Sequence, residues 1–97
     1  MKIIWSPLAL QRLEEIMDYI SIDSYVNAEK FTGSIIQKVE LLFEFPNFGW
    51  IVPELNNSDF RELIIGNYRI IYKLFQNNIH ILFLRHSKRM LDKEEIK

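Results

Sequence analysis

Apolar residues in the first part of the chain recur at helical spacing. Ser6 and Pro7 stand just before this stretch, and Ser at the N-cap with Pro at the first helical position is a strong helix-start signal. The repeating apolar positions are Leu10, Leu13, Ile16, Met17 and Ile20. The pattern predicts a first amphipathic helix that begins at Ser6-Pro7 and ends near Ile22.

A second helical stretch follows after a very short link. Asp23 or Ser24 is placed to cap its start, and Pro46 is placed to stop it. Its apolar positions are Ala28, Phe31, Ile35, Ile36, Val39, Leu42 and Phe43. Two amphipathic helices with so short a link predict an antiparallel helical hairpin.

After Pro46 the pattern becomes strand-like, with β-branched and aromatic residues between turn signals. The runs with strand character are residues 2–5, 60–65, 68–75 and 79–85, and the turns are Gly66-Asn67 and Gln76-Asn77-Asn78. This order predicts an α+β domain with an N-terminal strand, then an antiparallel helical hairpin packed on a small antiparallel β-sheet. A short C-terminal tail or helix is expected from Ser87 onward.

Composition narrows the class of protein. The 97 residues predict one domain over residues 1–97, and 48% apolar residues with a net charge of −1 are typical of a globular protein. Absence of cysteine from the sequence excludes a disulfide scaffold, a thiolate nucleophile and a cysteine-based zinc site. No run of about 18 apolar residues or signal-peptide pattern occurs, so we expect a cytoplasmic protein with no membrane partner.

The two halves of the chain differ in charge. Residues 1–60 hold four basic and nine acidic residues, whereas residues 61–97 hold eight basic and four acidic residues. Such asymmetry can mark a surface that meets an acidic partner or nucleic acid. The alternative is that these charges alternate around solvated strand faces.

Several kinds of catalytic site find no support in the sequence. His80 and His86 would lie about 20 Å apart on one strand, so we expect neither a metal site nor a cofactor. Gly-rich phosphate loops and nucleophile-elbow patterns are missing, although a Ser-His-Asp triad stays open. A helix-turn-helix DNA reader is disfavoured because both predicted helices are net acidic.

The basic residues of the strand region form the remaining candidate site. Arg69 and Lys73 are four positions apart on one strand and should share a face, which we expect to be a partly open concavity because buried charges are costly. The candidate target-binding residues are Arg61, Arg69, Lys73, Arg85, Lys88 and Arg89. In the alternative interpretation, Arg61 and Glu62 form a structural pair and Arg69 only caps a carbonyl.

The motifs along the chain resemble the RelE/ParE superfamily of toxins from type II toxin–antitoxin systems, and they occur in the same order over almost the whole chain. The matching pieces are Trp5-Ser6-Pro7 with Ala9, Asp18-Tyr19-Ile20, Ala28 with Phe31, Phe45-Pro46 with Gly49, Val52-Pro53-Glu54, Arg61-Glu62-Leu63, Tyr68-Arg69-Ile70-Ile71-Tyr72, Ile81-Leu82 and His86-Ser87-Lys88-Arg89. The resemblance implies a growth-arresting toxin of a plasmid stabilisation module. It also implies a cognate antitoxin that docks between helices and sheet and neutralises the toxin.

The resemblance leaves two targets open. RelE-like members cut ribosome-bound mRNA as endoribonucleases, and on that branch the candidate catalytic residues are Glu54, Arg61, Arg69, His86 and Arg89. ParE-like members inhibit DNA gyrase and are not nucleases. Gyrase is favoured because no Lys or Arg occurs from Val39 to Phe60, Trp50 follows Gly49 where many relatives have Arg, and no Tyr follows His86. A diverged, non-toxic antitoxin-binding module is the third alternative.

Overall fold

The computed structural model describes residues 1–86, and the predictions for Lys88, Arg89 and the C-terminal tail concern residues outside this range. The helices are α1 (Pro7–Ser21) and α2 (Tyr25–Glu40), followed by a 3₁₀ turn at Leu41–Phe43. The strands are β1 (Ile3–Trp5), β2 (Trp50–Ile51), β3 (Phe60–Ile65), β4 (Tyr68–Phe75) and β5 (Asn78–His86). The predicted α+β fold with a helical hairpin on a sheet is confirmed.

Local capping chemistry sets the helix boundaries. The Ser6 hydroxyl accepts a hydrogen bond from the Ala9 amide, and Pro7 occupies the first turn of α1. The Ser24 hydroxyl accepts one from the Asn27 amide and so opens α2. Ser24 rather than Asp23 is therefore the cap. The second helix stops at Glu40, six residues before Pro46, because the chain tightens there into the 3₁₀ turn.

The five strands form one sheet in the order β1-β5-β4-β3-β2. The β2–β3, β3–β4 and β4–β5 pairs are antiparallel, as expected from short connections. The sheet as a whole is mixed rather than antiparallel, because the N-terminal strand β1 pairs with β5 in parallel. No short turn joins these two strands. The helical hairpin and three other strands lie between them in sequence, so a hairpin does not fix the direction of β1.

The helices cover one face of the sheet, and the main hydrophobic core lies between the helices and that face. Ile35 and Val39 of α2 pack with Ile70 and Tyr72 of β4, and all four are almost fully buried. Side chains alternate along a strand. The even-numbered residues of β4 therefore face the helices, while Arg69, Ile71 and Lys73 point to the other side.

A loop rather than a helix covers part of the opposite face. Val52, Ile71 and Phe83 form a second, smaller apolar cluster there, and Leu55, Phe60 and Leu82 pack against it. The loop from Val52 to Asp59 carries Val52 and Leu55 onto this face. Within residues 1–86, neither helix is long and apolar enough to cross a membrane.

Candidate functional site

Arg69 forms the centre of a buried ionic cluster on the face that the helices do not cover. Its Nε donates to Glu62 Oε2 at 2.6 Å, and its two terminal nitrogens donate to Glu54 Oε2 and Oε1 at 2.8 and 2.9 Å. A terminal nitrogen also lies 2.5 Å from Glu62 Oε2. All three guanidinium nitrogens of Arg69 therefore contact carboxylate oxygens, and the contact with Glu54 is bidentate.

Three elements bring these side chains together. Arg69 stands near the start of β4, and Glu62 lies on β3 diagonally across from it, since Ile64 pairs with Arg69 and Glu62 pairs with Ile71. Glu54 comes from the loop that covers this face. That loop turns back at Asn56, whose φ of 48° is left-handed, and the Leu55 and Asn56 amides both donate to the Val52 carbonyl.

The cluster is nearly closed to solvent. Arg69 and Glu62 are 6% and 5% exposed. The hydrogen bonds that Arg69 donates to Glu54 raise the pKa of Arg69, its burial lowers that pKa, and its contacts with Glu62 raise it further. Two carboxylates and one guanidinium carry a formal charge of −1, so these three side chains together do not attract a phosphate.

Arg61 serves a different purpose on the opposite side of the sheet. It pairs with Tyr72, whose side chain lies in the core beneath the helices. Its Nε donates to the Ser58 carbonyl at 3.1 Å, and one terminal nitrogen donates to the carbonyls of Asn47 and Gly49 at 3.1 and 2.9 Å. Arg61 thus ties together the two segments that flank β2.

Tyr72 holds the same region from below. Its fully buried hydroxyl donates to the Pro46 carbonyl and accepts from the Gly49 amide, both at 2.9 Å. Burial raises the pKa of Tyr72, and the bond from Gly49 partly opposes this. A Cβ at Gly49 would stand 2.6 Å from the Tyr72 hydroxyl and from the Glu62 carbonyl. This close approach explains the glycine.

The remaining candidates in the described part of the chain, Lys73, Arg85 and His86, are spread over both faces. The Lys73 ammonium lies above the rings of Phe60 and Phe75, at 5.1 and 4.7 Å from their centroids. Arg85 on β5 lies opposite Arg69 on β4 in the strand register, so both side chains belong to the same face of the sheet. His86 pairs with Tyr68 on the helix-covered side, and their rings meet edge to face at 5.7 Å.

The expectation of a single open basic surface is wrong. Arg69 is buried against Glu54 and Glu62, and Arg61 and His86 lie on the other face from Arg69, Lys73 and Arg85. The alternative, in which Arg61 pairs with Glu62 and Arg69 caps a carbonyl, is wrong as well, because the structure shows the reverse assignment. Arg61 caps carbonyls and Arg69 pairs with Glu62, while any contribution of these residues to target binding or catalysis stays a prediction.

The sequence pattern indicated no role for Tyr72 or Arg12 in this region, and it offered Glu62 as a partner of Arg61 rather than of Arg69. For Tyr72 and Glu62 the available signal was the Gly66-Asn67 turn. A two-residue hairpin fixes which residues lie opposite each other on the two strands, and hence the face of the sheet on which each side chain lies. For Arg12 there was no such signal. Arg12 reaches from α1 to the Leu84 carbonyl at 3.0 Å and lies 5.2 Å from the centre of the Phe83 ring.

A surface cavity of about 310 Å³ lies where α1 meets the end of β5. Arg12, Tyr19, Tyr68, Arg85 and His86 are among its lining residues. Among residues 1–86, no three His, Cys, Asp or Glu side chains converge in a way that would hold a metal ion.

Comparison with known proteins places this chain in a family. Residues 3–91 match the family described as the ParE toxin of the type II toxin–antitoxin system parDE. The chain therefore belongs to the ParE toxin family, a class of type II toxin–antitoxin toxins.

One solved structure, described as the chromosomal ParDE TA system from P. aeruginosa, contains a similar chain. The identity is 22%, the TM-score is 0.75, and the match covers 91% of this chain and 97% of that one. At that identity the likeness supports the fold. Among curated proteins, none matches this chain.

Proposed function

We propose that this protein arrests growth by binding DNA gyrase, as a protein-binding inhibitor, and that a cognate antitoxin neutralises it. Membership of the ParE toxin family supports the toxin and antitoxin parts of the proposal. The observation that favours gyrase over RNA is the burial of Arg69 between Glu54 and Glu62.

An RNA-cleaving site needs accessible cations to hold phosphate and to stabilise the charge that develops on it. Arg69 is the most central basic residue of the sheet, yet both of its carboxylate partners are already in place. Arg61 is also occupied, because three backbone carbonyls accept its hydrogen bonds. These contacts favour a structural purpose for both arginines.

The second candidate function is mRNA cleavage on the ribosome, and one contact favours it. Glu54 lies directly against Arg69, so a possible general base stands beside a possible phosphate ligand. For that chemistry the bidentate pair would have to open when RNA binds. This function predicts that Glu54→Gln abolishes cleavage, because an amide cannot accept the proton.

Two assays with purified protein separate these functions. Gyrase inhibition predicts loss of DNA supercoiling in a gyrase reaction and intact mRNA in primer extension on a translated message. Cleavage within the ribosomal A site, lost in Glu54→Gln and kept in the exposed control Glu44→Gln, would instead establish the nuclease. Normal growth on expression without antitoxin, with neither activity in vitro, would indicate the diverged, non-toxic module.

A further inference from the structure

Six large apolar side chains are exposed between the end of α2 and β2. We call this set the aromatic patch, and it comprises Leu41, Phe43, Phe45, Phe48, Trp50 and Ile51. Trp50 is 74% exposed and each of the three phenylalanines is at least 55% exposed. Isolated surface apolar residues are normal, but six within eleven positions are typical of an interaction site. Phe48 links the set, because it lines one cavity with Leu41 and another with Trp50 and Ile51.

Two surface cavities border the aromatic patch on either side of the 3₁₀ turn. One, of about 690 Å³, is lined by Leu41 and Phe48 together with Glu40, Glu44 and Lys38. The other, of about 470 Å³, is lined by Phe43, Trp5 and Ile36, again with Glu40. Because Glu40 and the turn separate them, the two cavities form neighbouring sockets for apolar side chains.

The strand that ends the patch is also open to a partner. Within residues 1–86, β2 is the last strand of the sheet on this side, and it pairs with β3 along its other edge. A third cavity of about 470 Å³ lies at this strand and includes Phe48, Trp50 and Ile51 in its lining. Exposed apolar edge strands favour association, and proteins generally cover them.

The charge around the aromatic patch is negative. From Val39 to Phe60 the chain has four acidic residues and neither Lys nor Arg. Glu54 is engaged by Arg69, but Glu40 and Glu44 are exposed and line the larger cavity. Two basic residues, both half-buried, also line these cavities: Lys38 lines the larger one and Arg61 lines the one at β2. Arg61 donates its hydrogen bonds to backbone carbonyls.

We propose that the aromatic patch docks a helical segment of a partner protein whose apolar side chains are flanked by Lys or Arg. Apolar anchors would enter the cavities on either side of the 3₁₀ turn, and basic residues would meet Glu40 and Glu44. A negative surface disfavours nucleic acid. A symmetric contact with a second copy would bring Glu40 and Glu44 of both copies into one interface, which like-charge repulsion opposes.

A synthetic peptide tests this without knowledge of the natural partner. The probe is a tryptophan-free amphipathic helix of about 16 residues, roughly four turns, with Leu on one face and Lys on the flanks. A matched peptide carries Glu in place of every Lys. Binding to the full chain is followed by tryptophan emission, which should shift to the blue as Trp50 is covered. Most of that shift should disappear in Trp50→Phe, where the half-buried Trp5 is the remaining tryptophan.

Charge reversal provides the decisive comparison. The Lys peptide should bind about tenfold more weakly to Glu40→Lys/Glu44→Lys, since two attractive contacts become repulsive. The control Glu14→Lys/Glu29→Lys makes the same charge change at exposed positions of α1 and α2 and should bind as the unchanged protein does. Equal binding to both double variants, or equal binding of the Lys and Glu peptides, overturns the proposal.

Apolar truncation provides a second, independent comparison. Phe48→Ser should weaken the Lys peptide several-fold, whereas Tyr25→Ser, which removes a similarly exposed ring at the start of α2, should not. Sedimentation of both variants checks for self-association. A dimer that Phe48→Ser dissociates would identify the patch as an interface between copies and overturn the proposal, as would failure of the Lys peptide to bind. Neither result depends on whether gyrase is the target.

Discussion

Arg69 and Glu54 are fifteen positions apart, yet their side chains meet through two hydrogen bonds of 2.8 and 2.9 Å on the loop-covered face of the sheet. This contact joins the central strand to the loop that follows β2. Glu62 completes the cluster from the neighbouring strand. The loop is thus held by an ion pair above and by the Val52, Ile71 and Phe83 cluster beneath it.

Removal of the Arg69 guanidinium should destabilise the fold strongly. Arg69→Met leaves two carboxylates facing each other in a buried site, and the free energy of unfolding should fall by about 3–5 kcal/mol. Chemical denaturation measures this loss. Lys73→Met is the matched control on the same strand and face, and it should cost about 1 kcal/mol or less, because it removes only cation–π contacts.

A compensating variant tests the cause. Adding Glu54→Leu and Glu62→Leu to Arg69→Met should recover much of the lost stability, since no buried charge then stays unpaired. A loss below about 1 kcal/mol for Arg69→Met alone would contradict the buried ion pair.

The Tyr72 hydroxyl should contribute measurably to stability. Tyr72→Phe keeps the ring in the core but leaves the Gly49 amide and the Pro46 carbonyl without this partner, so the free energy of unfolding should fall by about 1–3 kcal/mol. Thermal or chemical unfolding measures the difference. An unchanged midpoint would show that the hydroxyl bonds are not formed in solution.

The same hydroxyl predicts a pH dependence at the alkaline end. Burial raises the pKa of Tyr72 above its ordinary value of 10.0, so the native state holds this proton more tightly than the unfolded chain does. The resulting stabilisation is fully present below pH 10.0 and is lost as the pH rises through the raised native-state pKa. Unfolding experiments between about pH 8 and about pH 11 should show that the difference in free energy of unfolding between the parent protein and Tyr72→Phe becomes smaller as the pH rises. A constant difference would contradict the assigned cause.

A single substitution in the turn between β4 and β5 should stabilise the protein. Gln76 and Asn77 both have positive φ, at 51° and 60°, and strand pairing closes directly around them from Phe75 to Asn78. A two-residue turn with this conformation favours glycine at its second position. Asn77→Gly should therefore raise the free energy of unfolding by about 0.5–1 kcal/mol. Asn77→Val should lower it, and equal stability of the two variants would argue against this turn.

Local sequence signals were sufficient for most of the fold. Ser6, Ser24 and the Gly66-Asn67 turn act on neighbouring backbone, so their effects can be predicted from adjacent residues alone. The parallel placement of β1 could not be predicted in this way, because it depends on how the helical hairpin returns the chain to the sheet. The contact between Arg69 and Glu54 could not be predicted for the same reason, since the path of the loop that carries Glu54 depends on contacts with residues far away in sequence.

Pairing of β1 with β5 has a consequence for how the protein is made. The Ile79 amide donates to the Lys2 carbonyl, and the Lys2 amide donates to the Asn78 side chain. β1 therefore has no strand to pair with until the residues of β5, about 76 positions later, have been synthesised. A nascent chain that stops short of Asn78 lacks the strand against which both β1 and α1 lie, so synthesis itself delays the appearance of a folded toxin.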